Sequence, residues 1–325
     1  MSKQRNSNIE MLRVVLMTLI VIWHYIMHGL DMKSPALYQD EQWNNTLAIF
    51  SASFMSFPVD CFIFISGYFG ITLKKSKVIR FVIMIFTYSL ITLMIGLFLG
   101  TKVDWFSLLQ TCLPISSNRW WFFTSYFYII LLSPFLNAGA VVVSKSSFKS
   151  LLVLLFISFY GVGLLVLGHR FIDFNLFIFI YLLGRYFKRF EVNYFVKNSI
   201  IIISSCVIVL GTLTYIAVEY QYSFLLYRLW YYHNPVVLAL AISVFFLFYN
   251  HKGLNVKISW LSSGVFAAYL ITDSIFVREA YNQWIIKNIP HSLWLFVALA
   301  SVGICSIIEL FRTKITDQIL NKIKL

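Results

Sequence analysis

Arg13 and His24 stand eleven residues apart in the first apolar run of the chain. At 3.6 residues per turn, eleven positions are close to three full helical turns. The two side chains therefore share nearly one face, about 16 Å apart along the axis. An imidazole is a natural general base for a hydroxyl, and it could also act as a nucleophile that accepts an acyl group and passes it on. A guanidinium binds anions. Arg13 also lies three residues after Glu10 and could pair with it. Plainer readings stay open beside these. Arg13 would serve equally as a snorkelling anchor, and His24 as a hydrogen bond between helices. His28 reads as an interfacial residue.

The second apolar run contains Phe57-Pro58-Val59-Asp60-Cys61-Phe62-Ile63-Phe64-Ile65-Ser66-Gly67-Tyr68, with Asp60 near its middle. A buried carboxylate needs a partner or stays protonated, and by depth His24 is a plausible partner. Pro58 interrupts the hydrogen-bond ladder just before it. Asp60 could instead be a structural hydrogen bond. Then comes Lys74-Lys75-Ser76-Lys77-Val78-Ile79-Arg80, in which Lys77 and Arg80 are one turn apart. Such a cluster could hold phosphates or simply mark the cytoplasmic side. Further along, Arg119, Tyr126, Arg228 and His233 fall at or near the outer face. Aromatic and basic groups suit a sugar or a pyrophosphate lipid, but they also serve as interface anchors.

These residues must be positioned by membrane helices. The chain is 60% hydrophobic and only 12% charged, about half the charged fraction of a soluble domain. Its mean hydropathy is +0.80. We expect an all-α membrane protein of about ten spans, near residues 10–29, 47–72, 78–100, 120–143, 148–168, 171–187, 198–218, 232–250, 260–277 and 291–311. Most approach the roughly 20 residues that cross a bilayer. With both termini in the cytoplasm, nineteen of the 26 Lys and Arg residues fall inside, in keeping with the positive-inside rule. The first outer loop is acidic, with Asp31, Asp40 and Glu41. The net charge of +13 does not suggest nucleic acid, because the basic residues lie between apolar runs rather than on one face. Cys61, Cys112, Cys206 and Cys305 lack the spacing of a metal site or a disulfide framework. The first apolar run carries Arg13 and lacks a small-residue cleavage site, so it is expected to persist as a helix. Residues 1–325 read as a single transmembrane domain.

The motifs resemble those of the acyltransferase-3 family of membrane O-acyltransferases. The Arg13-x10-His24 spacing resembles the signature of that family's first helix, and Val59–Tyr68 resembles its VDxFFxxSGY pattern. Lys77-x-x-Arg80 resembles its RxxR motif, with Lys in place of the first Arg. The stretch from Arg119-Trp120-Trp121-Phe122-Phe123 to Leu132-Ser133-Pro134-Phe135-Leu136-Asn137 resembles its fourth helix, and Tyr231-Tyr232-His233-Asn234-Pro235 its eighth. Its ninth helix usually reads YLIH, where this chain has Tyr269-Leu270-Ile271-Thr272 followed by Asp273.

The resemblance implies transfer of an acyl group, usually acetyl, from cytoplasmic acyl-CoA to a hydroxyl. The eighth-helix pattern and the size lean towards bacterial cell-surface polysaccharide acetyltransferases, hence a multi-pass protein of the bacterial plasma membrane. The expected partners are the bilayer, acetyl-CoA and a glycan or lipid-linked glycan. On this reading Arg13, Lys77 and Arg80 face the CoA phosphates, His24 is base or nucleophile, and Asp60 orients its ring. Arg119, Tyr126, Arg228 and His233 face the acceptor. A transporter or flippase is the alternative, but the inverted repeats and paired broken helices of such proteins are not evident in the sequence.

Overall fold

The computed structural model describes residues 6–30, 43–162, 172–251 and 258–322. Among them every regular element is helical and none is a strand. The α-helices are α1 (Ser7–His24), α2 (Trp43–Phe54), α3 (Phe57–Phe69), α4 (Lys75–Phe98), α5 (Trp105–Cys112), α6 (Trp121–Val142), α7 (Lys145–Phe156), α8 (Ile172–Phe190), α9 (Tyr194–Glu219), α10 (Ser223–Leu229), α11 (Pro235–Asn250), α12 (Ser259–Ser263), α13 (Val265–Thr272), α14 (Arg278–Asn288) and α15 (Trp294–Lys322). Local chemistry sets several starts. Asn6 accepts the Asn8 N–H at 3.0 Å ahead of α1, and Asn234 accepts the Val236 N–H at 2.9 Å ahead of α11. Both satisfy backbone donors that a helix N-terminus leaves open.

Six helical stretches among the described residues are long and apolar enough to cross a membrane: Ser7–Gly29, Ala48–Phe69, Lys75–Phe98, Trp121–Val142, Tyr194–Glu219 and His291–Lys322. They match the expected spans one, two, three, four, seven and ten. Of the other four, the fifth lies partly outside the described residues and three differ for physical reasons. The fifth is described only through α7 and a π-helical turn at Ile157–Val162. The sixth, α8, carries Asp173, Arg185, Lys188 and Arg189. The eighth, α11, has 16 residues. The ninth is divided into α12 and α13 at Gly264, where α15 comes so close that a Cβ would collide with the backbone of Ser306. The acidic-loop residues Asp31, Asp40 and Glu41 lie outside the described residues, as do Lys3, Arg5, Lys33, Arg170, Lys252, Lys257 and Lys324.

The chain divides into two compact units. The first comprises Met1–Asn45, Lys74–Thr124 and Leu254–Leu325. Here α1 packs on α12, α13 and α15, while α13 also packs on α4. A π-helical turn at Tyr25–Gly29 continues α1 and packs on α14.

The second unit comprises Thr46–Leu73 and Ser125–Gly253. In it α3 packs on α8 and α11, and α11 packs on α9. Phe64, Tyr68, Phe187, Phe245 and Phe246 meet through ring contacts between these helices. At the end of α3, the Tyr181 hydroxyl donates to Asn137 Oδ1 at 2.9 Å and accepts the Ile71 N–H at 3.0 Å. Asn137 Nδ2 in turn donates to the Ile71 carbonyl at 2.9 Å. Gly67 faces the backbone of Tyr181, and Gly184 faces that of Gly67 and Tyr68, so α3 and α8 touch main chain to main chain.

Gly67→Ala should therefore be destabilising, although alanine is the better helix former by about 1 kcal/mol. The added methyl group meets backbone that cannot rotate away, an overpacking cost of about 1–3 kcal/mol. Thermal unfolding of the purified protein in detergent should show a lowered midpoint. An unchanged midpoint would refute the close approach.

Candidate functional site

His24 is the last residue of α1 and is buried, with 3% of its surface exposed. The helix stays α-helical from Ser7 to His24, so the shared face expected of Arg13 and His24 holds. Beyond His24 the chain widens into the π-helical turn. A π turn holds more residues than an α turn, and such turns often mark functional sites. Here it sets His28 beside His24, with ring centroids 5.5 Å apart.

The C-terminal end of α13 supplies partners to both rings. Thr272 Oγ1 lies 3.0 Å from His24 Nδ1, and the same oxygen lies 2.8 Å from the Ala268 carbonyl. The next residue, Asp273, places Oδ1 3.2 Å from His28 Nε2. Tyr269, one turn earlier, lies 5.6 Å from the His24 ring, centroid to centroid, and stacks on Phe123 at 5.5 Å. Thus the Trp-Phe-rich start of α6 walls the histidine through Tyr269. His24, His28 and Asp273 each offer a ligand atom within 4.8 Å of the others. A divalent cation there would compete with the His28–Asp273 hydrogen bond.

Reading the sequence missed this cluster in three respects. His28 is engaged with a carboxylate. Thr272 touches His24 directly. Asp273 is the carboxylate of the pair. Two signals were available: His24 and His28 are four residues apart, and Thr272-Asp273 places a hydroxyl and a carboxylate in succession.

Asp60 lies in the first turn of α3, in the second unit. It is fully buried, and neither carboxyl oxygen has a hydrogen-bond partner among the described residues. Asp60 thus presents a buried carboxyl with unmet hydrogen-bonding capacity, which is costly unless neutral or filled by a ligand.

The three basic residues expected at the phosphates all belong to the first unit. Arg13 Nη1 donates to Glu10 Oε1 at 3.1 Å, and the Ser262 hydroxyl donates to the other oxygen of Glu10. Arg80 forms an ion pair with Asp317 of α15. Lys77 is exposed in the first turn of α4, beside exposed Lys74 and Lys75. The arginines are thus partly neutralised and held in place, while the lysines offer charge to an incoming anion.

Arg119 is buried, with only 8% of it exposed. Nη1 donates to Ser89 Oγ and Thr111 Oγ1, both at 2.8 Å, and Nη2 to Thr92 Oγ1 at 3.1 Å and Ser274 Oγ at 3.4 Å. Its guanidinium carbon is 4.8 Å from the Trp120 ring centroid and 4.6 Å from that of Phe276. Ser89, Thr92 and Thr111 pass their own protons to backbone carbonyls, so they are free to accept from Arg119. The arginine ties α4, α5 and the turn after α13 together.

The remaining acceptor candidates lie in the second unit. The Tyr126 hydroxyl is 3.1 Å from Ser66 Oγ. Arg228 lies over Phe224 at 5.1 Å, and its Nε and Nη2 are buried without partners among the described residues. His233 sits against Tyr232, centroids 4.3 Å apart, just before the cap of α11.

A family model described as an acyltransferase domain matches residues 6–310. The match takes in most of both units and every candidate residue named above except Asp317. No curated protein and no solved structure matches the chain.

Proposed function

We propose, from the premise that the chain belongs to the acyltransferase-3 family, that this multi-pass membrane acyltransferase moves an acetyl group from cytoplasmic acetyl-CoA to a hydroxyl of a cell-surface polysaccharide or its lipid-linked precursor. The observation that carries the reading is His24. It is a buried imidazole with one nitrogen on a threonine hydroxyl and a histidine–carboxylate pair beside it. Lys77 meets the CoA phosphates, with Arg13 and Arg80 as preplaced cations; a lysine grips a phosphate as a point charge rather than as a fork. The continuous helix from Arg13 to His24 gives a span of about 16 Å between the phosphate end and the base, comparable to the reach of a pantetheine arm.

In the reaction the acceptor hydroxyl gives its proton to His24 as its oxygen forms the ester bond. The C–S bond breaks, and the departing thiolate recovers the proton from His24. Asp60 is the second catalytic candidate, because its unpaired buried carboxyl is free to meet a substrate group. Tyr126, Arg228 and His233 are proposed to contact the acceptor, and Arg119 to support that face. The proposed topology has ten spans with both termini in the cytoplasm of a bacterium, supported by the distribution of Lys and Arg.

The test compares ester-linked acetyl on surface glycan in cells with and without the gene. Acetyl esters are expected only where the protein is made. Equal acetylation in both strains would sink the assignment.

A further inference from the structure

The hydrogen bonds around His24 fix which of its nitrogens carries the proton. A threonine hydroxyl has one proton and two lone pairs. The Thr272 oxygen lies 2.8 Å from the Ala268 carbonyl, four residues back in α13, and a carbonyl can only accept. Helical threonines commonly bond in this way. The single proton of Thr272 is therefore spent on Ala268. The 3.0 Å contact with His24 Nδ1 is then completed by a proton on that nitrogen. In a neutral imidazole this leaves the Nε2 lone pair free.

We propose that Thr272 is a positioning residue that holds His24 in the Nδ1-protonated tautomer, so that Nε2 is the atom that takes the proton of the acceptor hydroxyl. The geometry of the neighbouring pair fits this role. Asp273, one residue on, engages His28, so the end of α13 grips two histidines set side by side by the π turn. Each ring is thereby restrained from turning over. The hydroxyl does here what a carboxylate or carbonyl does for histidines elsewhere, selecting the tautomer through the nitrogen that does not react. The hydroxyl itself adds no charge; the nearby carboxylate is that of Asp273, within 4.8 Å. The kinetic part of the proposal rests on the acyltransferase reading of His24, whereas the tautomer itself does not.

The tests use Thr272→Val, which keeps the shape and removes the hydroxyl, and Thr272→Ser, which keeps the hydroxyl. The full chain is labelled with 15N-histidine and placed in lipid nanodiscs. The signals of His24 are identified among the six histidines by their loss in His24→Ala. Wild type and Thr272→Ser are expected to show a protonated Nδ1 and an unprotonated Nε2. Thr272→Val is expected to move towards the opposite tautomer. A wild type with its proton on Nε2, or a valine variant with unchanged signals, would overturn the proposal. In the transfer assay, Thr272→Val should lower kcat about 10²-fold, the scale of misdirected general-base catalysis, and leave the KM for the acceptor nearly unchanged. Thr272→Ser should stay within about fivefold of wild type, a small part of the general-base effect. A valine variant with wild-type kcat would remove Thr272 from the mechanism and leave the acyltransferase reading intact. Absence of transfer by wild type would sink that reading, while the nitrogen signals still decide the tautomer.

Discussion

His24→Ala should abolish acyl transfer, lowering turnover by at least about 10²-fold, while the protein still accumulates in the membrane. The fold should survive because of the partners left behind. Thr272 keeps its hydrogen bond to Ala268, so removal of the ring leaves no orphaned hydroxyl proton. His28 keeps Asp273. What is lost is ring packing against Tyr269 and Trp23, at 5.6 and 6.0 Å between centroids, and truncation of a buried side chain costs a few kcal/mol. The measurement is transfer from labelled acetyl-CoA in membranes carrying equal amounts of wild type and variant. Turnover at the wild-type rate in the alanine protein would remove His24 from the chemistry.

Arg119→Ala should have its largest effect on stability. The substitution deletes four hydrogen bonds from one guanidinium and two ring contacts. Hydrogen bonds to a charged group contribute about 1.5–3 kcal/mol each, but relief of the buried charge offsets part of this. A net loss of about 2–4 kcal/mol follows, in the range of large core truncations. Arg119→Lys should not restore it, because a single ammonium cannot reach the same set of hydroxyls. Thermal unfolding of the purified variants reads the effect directly. If Arg119→Ala unfolds at the wild-type temperature but loses transfer, the acceptor-binding role expected from its place in the sequence is the correct one.

The membrane class, the helical fold and the first-helix register of Arg13 and His24 were legible in the sequence because each depends on local composition or on a single helical period. Partners were not, because they come from distant segments. Nothing around His24 announces Thr272, 248 positions later, nor does Lys77–Arg80 announce Asp317. Arg119 looked like an interfacial cation because its place between two apolar runs is all the sequence shows. Its burial depends on hydroxyls from α4 and α5 and on the turn after α13. The break at Gly264 was hidden for the same reason. Its apolar surroundings read as one span, and only the approach of Ser306 shows why a glycine is there.

The π-helical turn at Tyr25–Gly29 also bears on how the chain can change over time. A π turn is an α-helix with one residue too many, in effect an insertion scar preserved at the edge of the site. Deleting one residue from it would return the segment to α spacing. The wider turn is what absorbs the extra residue, so the chain on either side would keep its register. His24 and everything before it would keep their places, and the second histidine would follow three positions after the first instead of four. Descendants of such a deletion would shorten the spacing of the two histidines in a single step while leaving the helix before them unchanged. Aligned against this chain, they would show a one-residue gap directly after the Trp23-His24 pair.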